Sequence, residues 1–191
     1  MIQELDFRIL DAIQGLRCGF LDMLCPKLTL LGSGGFIWIV LTLCLLARKQ
    51  SRTVGIMLAV GLLTGLIIGN GVLKNLFARS RPCWLRPEVQ LLIESPKDFS
   101  FPSGHTLSSF ISAFILLFTG SRLRYPALIA ASVIAFTRLY LYVHFPSDIL
   151  CGIILAFIIA AAVYTVFKRR NWLADDKDKE QTNKIKKTES A

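Results

Sequence analysis

Residues 101–106 read Phe101-Pro102-Ser103-Gly104-His105-Thr106, and the chain then turns apolar through Leu107, Phe110, Ile111, Ala113, Phe114, Ile115, Leu116, Leu117 and Phe118. A polar loop therefore opens directly into a hydrophobic helix. The first N–H groups of such a helix have no partners within it, and the helix dipole adds partial positive charge at that end. Ser103 suits the capping position. Gly104 lets a ligand approach the backbone closely. His105 supplies a proton-transfer group that works near neutral pH. Together they make a small anion-binding device at a helix start. The only other histidine, His144, stands just before a second helix start at Pro146, so a phosphate site with two histidines is expected.

The apolar run after His105 is one of several. Of the 191 residues, 53% are hydrophobic, and the mean hydropathy is +0.55. The apolar residues come in blocks near the length that crosses a bilayer, about 20 residues. The expected fold is an all-α integral membrane bundle of about five transmembrane helices plus an N-terminal amphipathic helix. Spans are placed at about 28–47, with the kink-prone Gly32-Ser33-Gly34-Gly35 near the start, and at about 53–77, 103–118, 125–142 and 146–167. Gly61, Gly65 and Gly69 recur every four residues in the second, a spacing that lets helices approach closely in lipid. Residues 27–170 form the transmembrane domain. In residues 1–26, Phe7, Leu10, Ile13 and Leu21 are mixed with Arg8, Asp11, Arg17 and Asp22. This reads as a helix lying in the membrane interface and ended by Pro26, the alternative being an ordinary packed helix. Those charges also break any signal-peptide core. Residues 171–191 read as a charged, disordered cytoplasmic tail.

The net charge of +9 does not point to nucleic acid, because the basic residues cluster in short loops and in the tail. If five spans alternate, Arg48, Lys49, Arg52, Arg122, Arg124, Lys168, Arg169 and Arg170 share one side. The positive-inside rule makes that side cytoplasmic. His105 and His144 then face outward together. None of the five cysteines forms a close pair with metal-ligand spacing, so no zinc site is expected, and the spacing makes no disulfide compelling, the pairing of Cys83 being left open.

Three segments meet on the outer face. The first holds Lys74 and Arg81, seven apart and hence on one face of a helix. A lysine in an apolar run needs an anionic partner or a wet cavity, unless it snorkels to the interface. The second is Pro102 to His105. The third runs from Arg138 through His144 to Asp148, whose carboxylate otherwise only complements a helix dipole. Cations for phosphate oxygens, a nucleophile and an acid suffice for phosphoryl transfer without a metal or other cofactor. Arg79 and Arg86 read as solvated loop charges or as extra headgroup contacts.

The pattern Lys74-x6-Arg81-Pro82, then Pro102-Ser103-Gly104-His105, then Arg138-x5-His144-x3-Asp148 resembles the three signature motifs of the type 2 phosphatidic acid phosphatase superfamily, which also contains vanadium haloperoxidases. One departure is Thr137, where the family usually has Ser. The resemblance implies that His144 attacks phosphorus and becomes a phosphohistidine, that Asp148 orients its ring, and that His105 protonates the leaving oxygen and then activates water. It assigns Lys74, Arg81, Arg138, the Ser103 hydroxyl and the Gly104 N–H to the non-bridging oxygens. Preorganised donors of this kind are worth about 3–4 kcal/mol each in a transition state. The implied function is a lipid phosphatase of the plasma membrane with its site on the extracytoplasmic face, trimming undecaprenyl diphosphate. Phosphatidylglycerophosphate and phosphatidic acid are alternative substrates. A non-catalytic lipid or anion transporter would also use intramembrane cations, but has no need of two histidines and an orienting carboxylate. A vanadate oxidase is disfavoured, since the haloperoxidases are soluble.

Overall fold

The computed structural model describes residues 2–170 and 172; the expected tail lies almost wholly outside them. Among the described residues the regular structure is helical. α1 is Ile2–Gln14, α2 Gly19–Gly32, α3 Phe36–Ala47, α4 Arg52–Gly65, α5 Lys74–Phe77, α6 Pro82–Leu85, α7 Gly104–Phe118, α8 Arg124–Tyr140 and α9 Pro146–Arg169. A 3₁₀ turn, Ser33–Gly35, joins α2 to α3, and a π-helical stretch, Leu66–Leu73, joins α4 to α5. Gly34 and Gly35 have φ of 59° and 73°, values open to glycine at little cost, and they kink the α2–α3 unit as the sequence suggests. Among the described residues three stretches are long and apolar enough to cross a membrane: Gly19–Ala47, Lys49–Leu85 and Pro146–Arg169. The 15 residues of α7 and 17 of α8 rise about 22 and 26 Å at 1.5 Å per residue.

α7 is the axis of the bundle and packs against α4, α8 and α9. Leu107, Phe110, Ile111, Ala113, Ile115 and Leu116 are all buried, so its apolar residues run round the helix rather than along one stripe. A polar pair lies inside: Trp38 Nε1 donates to Ser109 Oγ at 2.8 Å. The glycine stripe does what its spacing implies. A Cβ at Gly61 would sit 2.7 Å from Ile115 Cδ1, and one at Gly65 would sit 2.5 Å from Ile111 Cδ1. Gly65→Val is therefore expected to destabilise the bundle by about 1–3 kcal/mol, the usual range for overpacking, read as a lower unfolding temperature in detergent. An unchanged temperature would mean that α4 and α7 are not in contact.

The N-terminal region differs from the sequence expectation. One helix over residues 1–26 is not formed. α1 ends at Gln14, and Pro26 lies inside α2 instead of ending a helix. A proline there removes only the N–H that would bond the Asp22 carbonyl, in the first turn of α2, and helices of membrane bundles tolerate this. α1 is docked through buried Asp6 and Leu10 on α8 and α9, while Ile2, Leu5 and Ile9 on its other sides stay exposed. It is thus both a packed helix and one with a free apolar surface. Arg86 and Asp11 pair at 2.8 Å, and Tyr142 Oη lies 3.1 Å from each.

Candidate active site

A cavity of about 1050 Å³ takes in Lys74, Arg81, Gly104, His105, Arg138 and His144 at one end. Six of the eight residues expected from sequence therefore line a single space. Ser103 and Asp148 stand behind it, both fully buried.

Lys74 and Arg81 do not meet through helical spacing. Ala78, with φ of 42°, ends α5 in the left-handed region, and Arg81 lies in extended backbone before α6. The turn still brings both cations to the same carboxylate, Asp98. Lys74 Nζ bonds Asp98 Oδ2. Arg81 Nη2 donates to Asp98 Oδ1 at 2.7 Å, and Arg81 Nε donates to the Asp98 carbonyl at 2.6 Å. Partial burial pushes the Asp98 carboxyl up, but the bonds and charges of Lys74 and Arg81 outweigh it and hold it down, to about 2. Asp98 is therefore an anion at any working pH.

Arg138 is the third cation. Its Nη1 donates to Thr29 Oγ1 of α2 at 2.5 Å. Its Nε is buried and has no partner among the described residues. Buried donors are rarely left unpaired, and Arg138 is one of the residues that line the cavity. Thr137, the departure from the motif, turns its hydroxyl back to the Ile134 carbonyl at 2.6 Å and takes no part in the cavity.

Ser103 caps α7 as expected: its Oγ accepts from Thr106 N at 3.4 Å and from Thr106 Oγ1 at 3.0 Å. Its own proton remains free to donate. Gly104 is closed in by Asn70 of the π-helical stretch, whose Oδ1 would lie 3.0 Å from a Cβ there. His105 follows in the first turn of α7, with its Nε2 3.4 Å from Ser33 Oγ.

His144 lies in the turn between α8 and α9 and is 1% exposed. Arg81 Nη1 is 3.1 Å from its Nε2. A guanidinium only donates, so Nε2 is the acceptor and the proton of the neutral ring is on Nδ1. Burial pushes this ring below its ordinary pKa, and the Arg81 and Arg138 charges add to that against the pull of Asp148. His144 is thus a neutral imidazole with a lone pair on the atom facing the cations. Its Nδ1 is 3.7 Å from Asp148 Oδ2 and 3.4 Å from Ser100 Oγ. Ser100 Oγ in turn donates to Asp148 Oδ2 at 2.5 Å. Ser100 therefore bridges the histidine and the carboxylate, a role the sequence did not reveal.

Arg79 is also not a solvated loop charge. It pairs with Asp148 at 2.5 Å and with Asp6 at 2.8 Å.

Away from the charged end the cavity continues between α3 and α4, past Ile39, Leu43, Leu46, Leu62, Leu63 and Leu66. One space thus joins a cationic, two-histidine end to a long apolar trough.

An all-helical membrane bundle with a cationic two-histidine cavity at one end defines a class, and comparison with known proteins gives the family. Residues 52–172 match the model of the PAP2 superfamily, and the chain belongs to it. It is 33% identical over 118 residues to an undecaprenyl-diphosphatase of Sulfolobus acidocaldarius, a match covering 61% of this chain and 57% of that one. It is 27% identical over 157 residues to undecaprenyl-diphosphatase BcrC of Bacillus subtilis, covering 81% and 80%. The chain thus spans little more than half of the first relative. Among solved structures, it resembles the transmembrane PAP2-type phosphatidylglycerolphosphate phosphatase of Bacillus subtilis, with a TM-score of 0.72 at 24% identity over 88% of this chain and 87% of that one. That likeness concerns the fold.

Proposed function

We propose that this protein is a metal-independent lipid phosphatase that hydrolyses undecaprenyl diphosphate to undecaprenyl phosphate through a phosphohistidine at His144. The observation that carries this reading is the single cavity with His105, His144 and three cations at one end and an apolar trough at the other. A phosphate fits the first part and a long prenyl chain the second. The names of the two undecaprenyl-diphosphatase relatives support the choice of chain and headgroup.

This reading assigns each step to residues of the site. The terminal phosphate binds against Lys74, Arg81 and Arg138, and Asp98 gives up its bonds to the first two. The Gly104 N–H at the start of α7, and the Ser103 proton if the hydroxyl turns toward the cavity, add neutral donors. His144 Nε2 attacks phosphorus, the bond to the leaving oxygen breaks, and His105 delivers a proton to that oxygen. Asp148, through Ser100, compensates the charge on the imidazole. His105 then takes a proton from water, which attacks the phosphohistidine, breaks the P–N bond and frees phosphate. Three fixed cations do the charge stabilisation for which other phosphoryl-transfer enzymes use Mg²⁺.

Phosphate release in detergent, measured with chelator across prenyl diphosphates, phosphatidylglycerophosphate and phosphatidic acid, tests the reading. The expected result is fastest turnover of the prenyl diphosphate, unchanged by chelator. A preference for a glycerophospholipid would replace the substrate, dependence on Mg²⁺ would refute the metal-free mechanism, and no release from any of them would leave a binding or transport protein.

The site end of the bundle is proposed to face outward, because the basic turns Arg48 to Arg52 and Arg122 to Arg124 lie at the opposite end of alternating helices. Cys83 is buried and makes a poor reporter, whereas Glu88 is exposed in the loop on the site side. Glu88→Cys is expected to react with a membrane-impermeant thiol reagent in intact cells. Reaction only after the cells are opened would invert the topology.

A further inference from the structure

Asp6 and Asp148 are two buried carboxylates, 3% and 0% exposed, with one arginine between them. Arg79 Nη1 donates to Asp148 Oδ1 at 2.5 Å and to Ser147 Oγ at 2.7 Å, and its Nη2 donates to Asp6 Oδ2 at 2.8 Å. The guanidinium stacks over the Phe145 ring, 4.1 Å from its centroid. Asp6 is bound further to the start of α9: its Oδ1 accepts from Ser147 N at 3.0 Å and its Oδ2 from Ser147 Oγ at 2.6 Å. A carboxylate from the N-terminal helix thus caps the helix that carries Asp148.

Resting on the reading of His144 as the nucleophile, we propose that Arg79 and Asp6 are positioning residues for it, with Arg79 holding Asp148 in place behind the ring and Asp6 holding Arg79. Asp148 needs a cationic partner. A buried carboxylate without a cation is strongly destabilised, and His144 is neutral at rest, with its Nε2 accepting from Arg81. Arg79 is the guanidinium that touches Asp148. It occupies Oδ1 and leaves Oδ2 to Ser100 and to the Phe145 N–H, which donates at 2.9 Å. Oδ2 is the oxygen that faces His144 Nδ1. Arg79 is absent from the cavity lining, so it does not contact a phosphate bound there. Asp6 fixes the fork by taking its second nitrogen. This gives α1, which lies outside all three motifs, a part in the reaction.

The test uses the full chain in detergent with p-nitrophenyl phosphate, inorganic phosphate as a competing ligand, and the variants Arg79→Gln, Arg79→Lys, Asp6→Asn and Asp148→Asn. The readout is the single-turnover rate constant for phosphoenzyme formation at saturating substrate, which, unlike the amplitude, does not depend on how much protein is folded. A charged hydrogen bond of this kind is worth about 1.5–3 kcal/mol, so Arg79→Gln is expected to slow the step about 10- to 100-fold. Inhibition by inorganic phosphate should change less than about twofold, since Arg79 lies outside the cavity. Asp6→Asn should give a smaller slowing of the same kind, and Arg79→Lys should recover part of the loss. In an Asp148→Asn background, Arg79→Gln should add little, because the group it positions has changed. Weakened phosphate inhibition in step with the rate would make Arg79 a substrate contact and overturn the proposal. An unchanged rate constant with only a lower amplitude would make it a tether for α1, and full additivity with Asp148→Asn would likewise overturn it. Wild-type protein that releases no phosphate would remove the parent reading, whereas wild type that turns over with Arg79→Gln at the same rate removes this one alone.

Discussion

His144→Ala is expected to abolish phosphate release from every substrate, by at least about 10⁴-fold, as removal of a covalent nucleophile commonly does. The reason is geometric as well as chemical. Nε2 is 3.1 Å from Arg81 Nη1, so in the proposed mechanism the attacking lone pair lies beside a cation assigned to the phosphate oxygens. Neither His105 nor any thiol replaces it, since none of the five cysteines lines the cavity. The loss should not depend on the leaving group, because the bond that fails to form is the same for all of them. Initial rates on an alkyl phosphate, a prenyl diphosphate and p-nitrophenyl phosphate, with the unfolding temperature as a control for folding, check it. Residual activity near wild type on any of the three would assign the nucleophile elsewhere.

His105→Ala is expected to act differently on the same substrates. General acid help is worth about 10²–10⁴-fold in rate, but only where the departing oxygen needs a proton. A lipid alkoxide needs it most, so dephosphorylation of phosphatidic acid should fall through that range. An aryl oxide or a prenyl phosphate is a better leaving group, and the first step on p-nitrophenyl phosphate or a prenyl diphosphate should fall much less. Water activation remains impaired in all cases, so phosphohistidine should accumulate. The proposed role is supported by position: His105 lines the same cavity as His144, from the first turn of α7. Equal losses in the first step on all three substrates would contradict the assignment.

The motif residues were legible because phosphoryl transfer needs particular side chains, and their order and spacing survive in the linear chain. Lys74, Arg81, Gly104, His105, Arg138 and His144 all stand in the motifs, and all line one cavity. The glycine stripe was legible for a similar reason, since close helix packing needs small residues at fixed intervals. What escaped were the partners. Asp98 reaches back to Lys74 and Arg81, Thr29 reaches Arg138 from 109 residues away, and Asp6 reaches Ser147 across 141 residues. No local pattern encodes such pairs. A charge-balance argument was available: buried cations without anions are costly, and Asp98 stands in the loop that enters the site. The break after Gln14 had its signal in Gly15 and Gly19, which outweighed the single proline at 26. Ser100 had no distinguishing sequence context at all; only its bonds to Asp148 and His144 mark it.

The most direct test of a phosphohistidine at His144 is to trap it. Wild-type protein is mixed with saturating p-nitrophenyl phosphate carrying labelled phosphorus and quenched within the first turnover in alkaline detergent, because the P–N bond is labile in acid. The expected result is label on the protein that survives alkali, is lost in acid, maps to the peptide containing His144 and is absent from His144→Ala. Label mapping to another residue, or none on wild-type protein that is turning over, would contradict the mechanism.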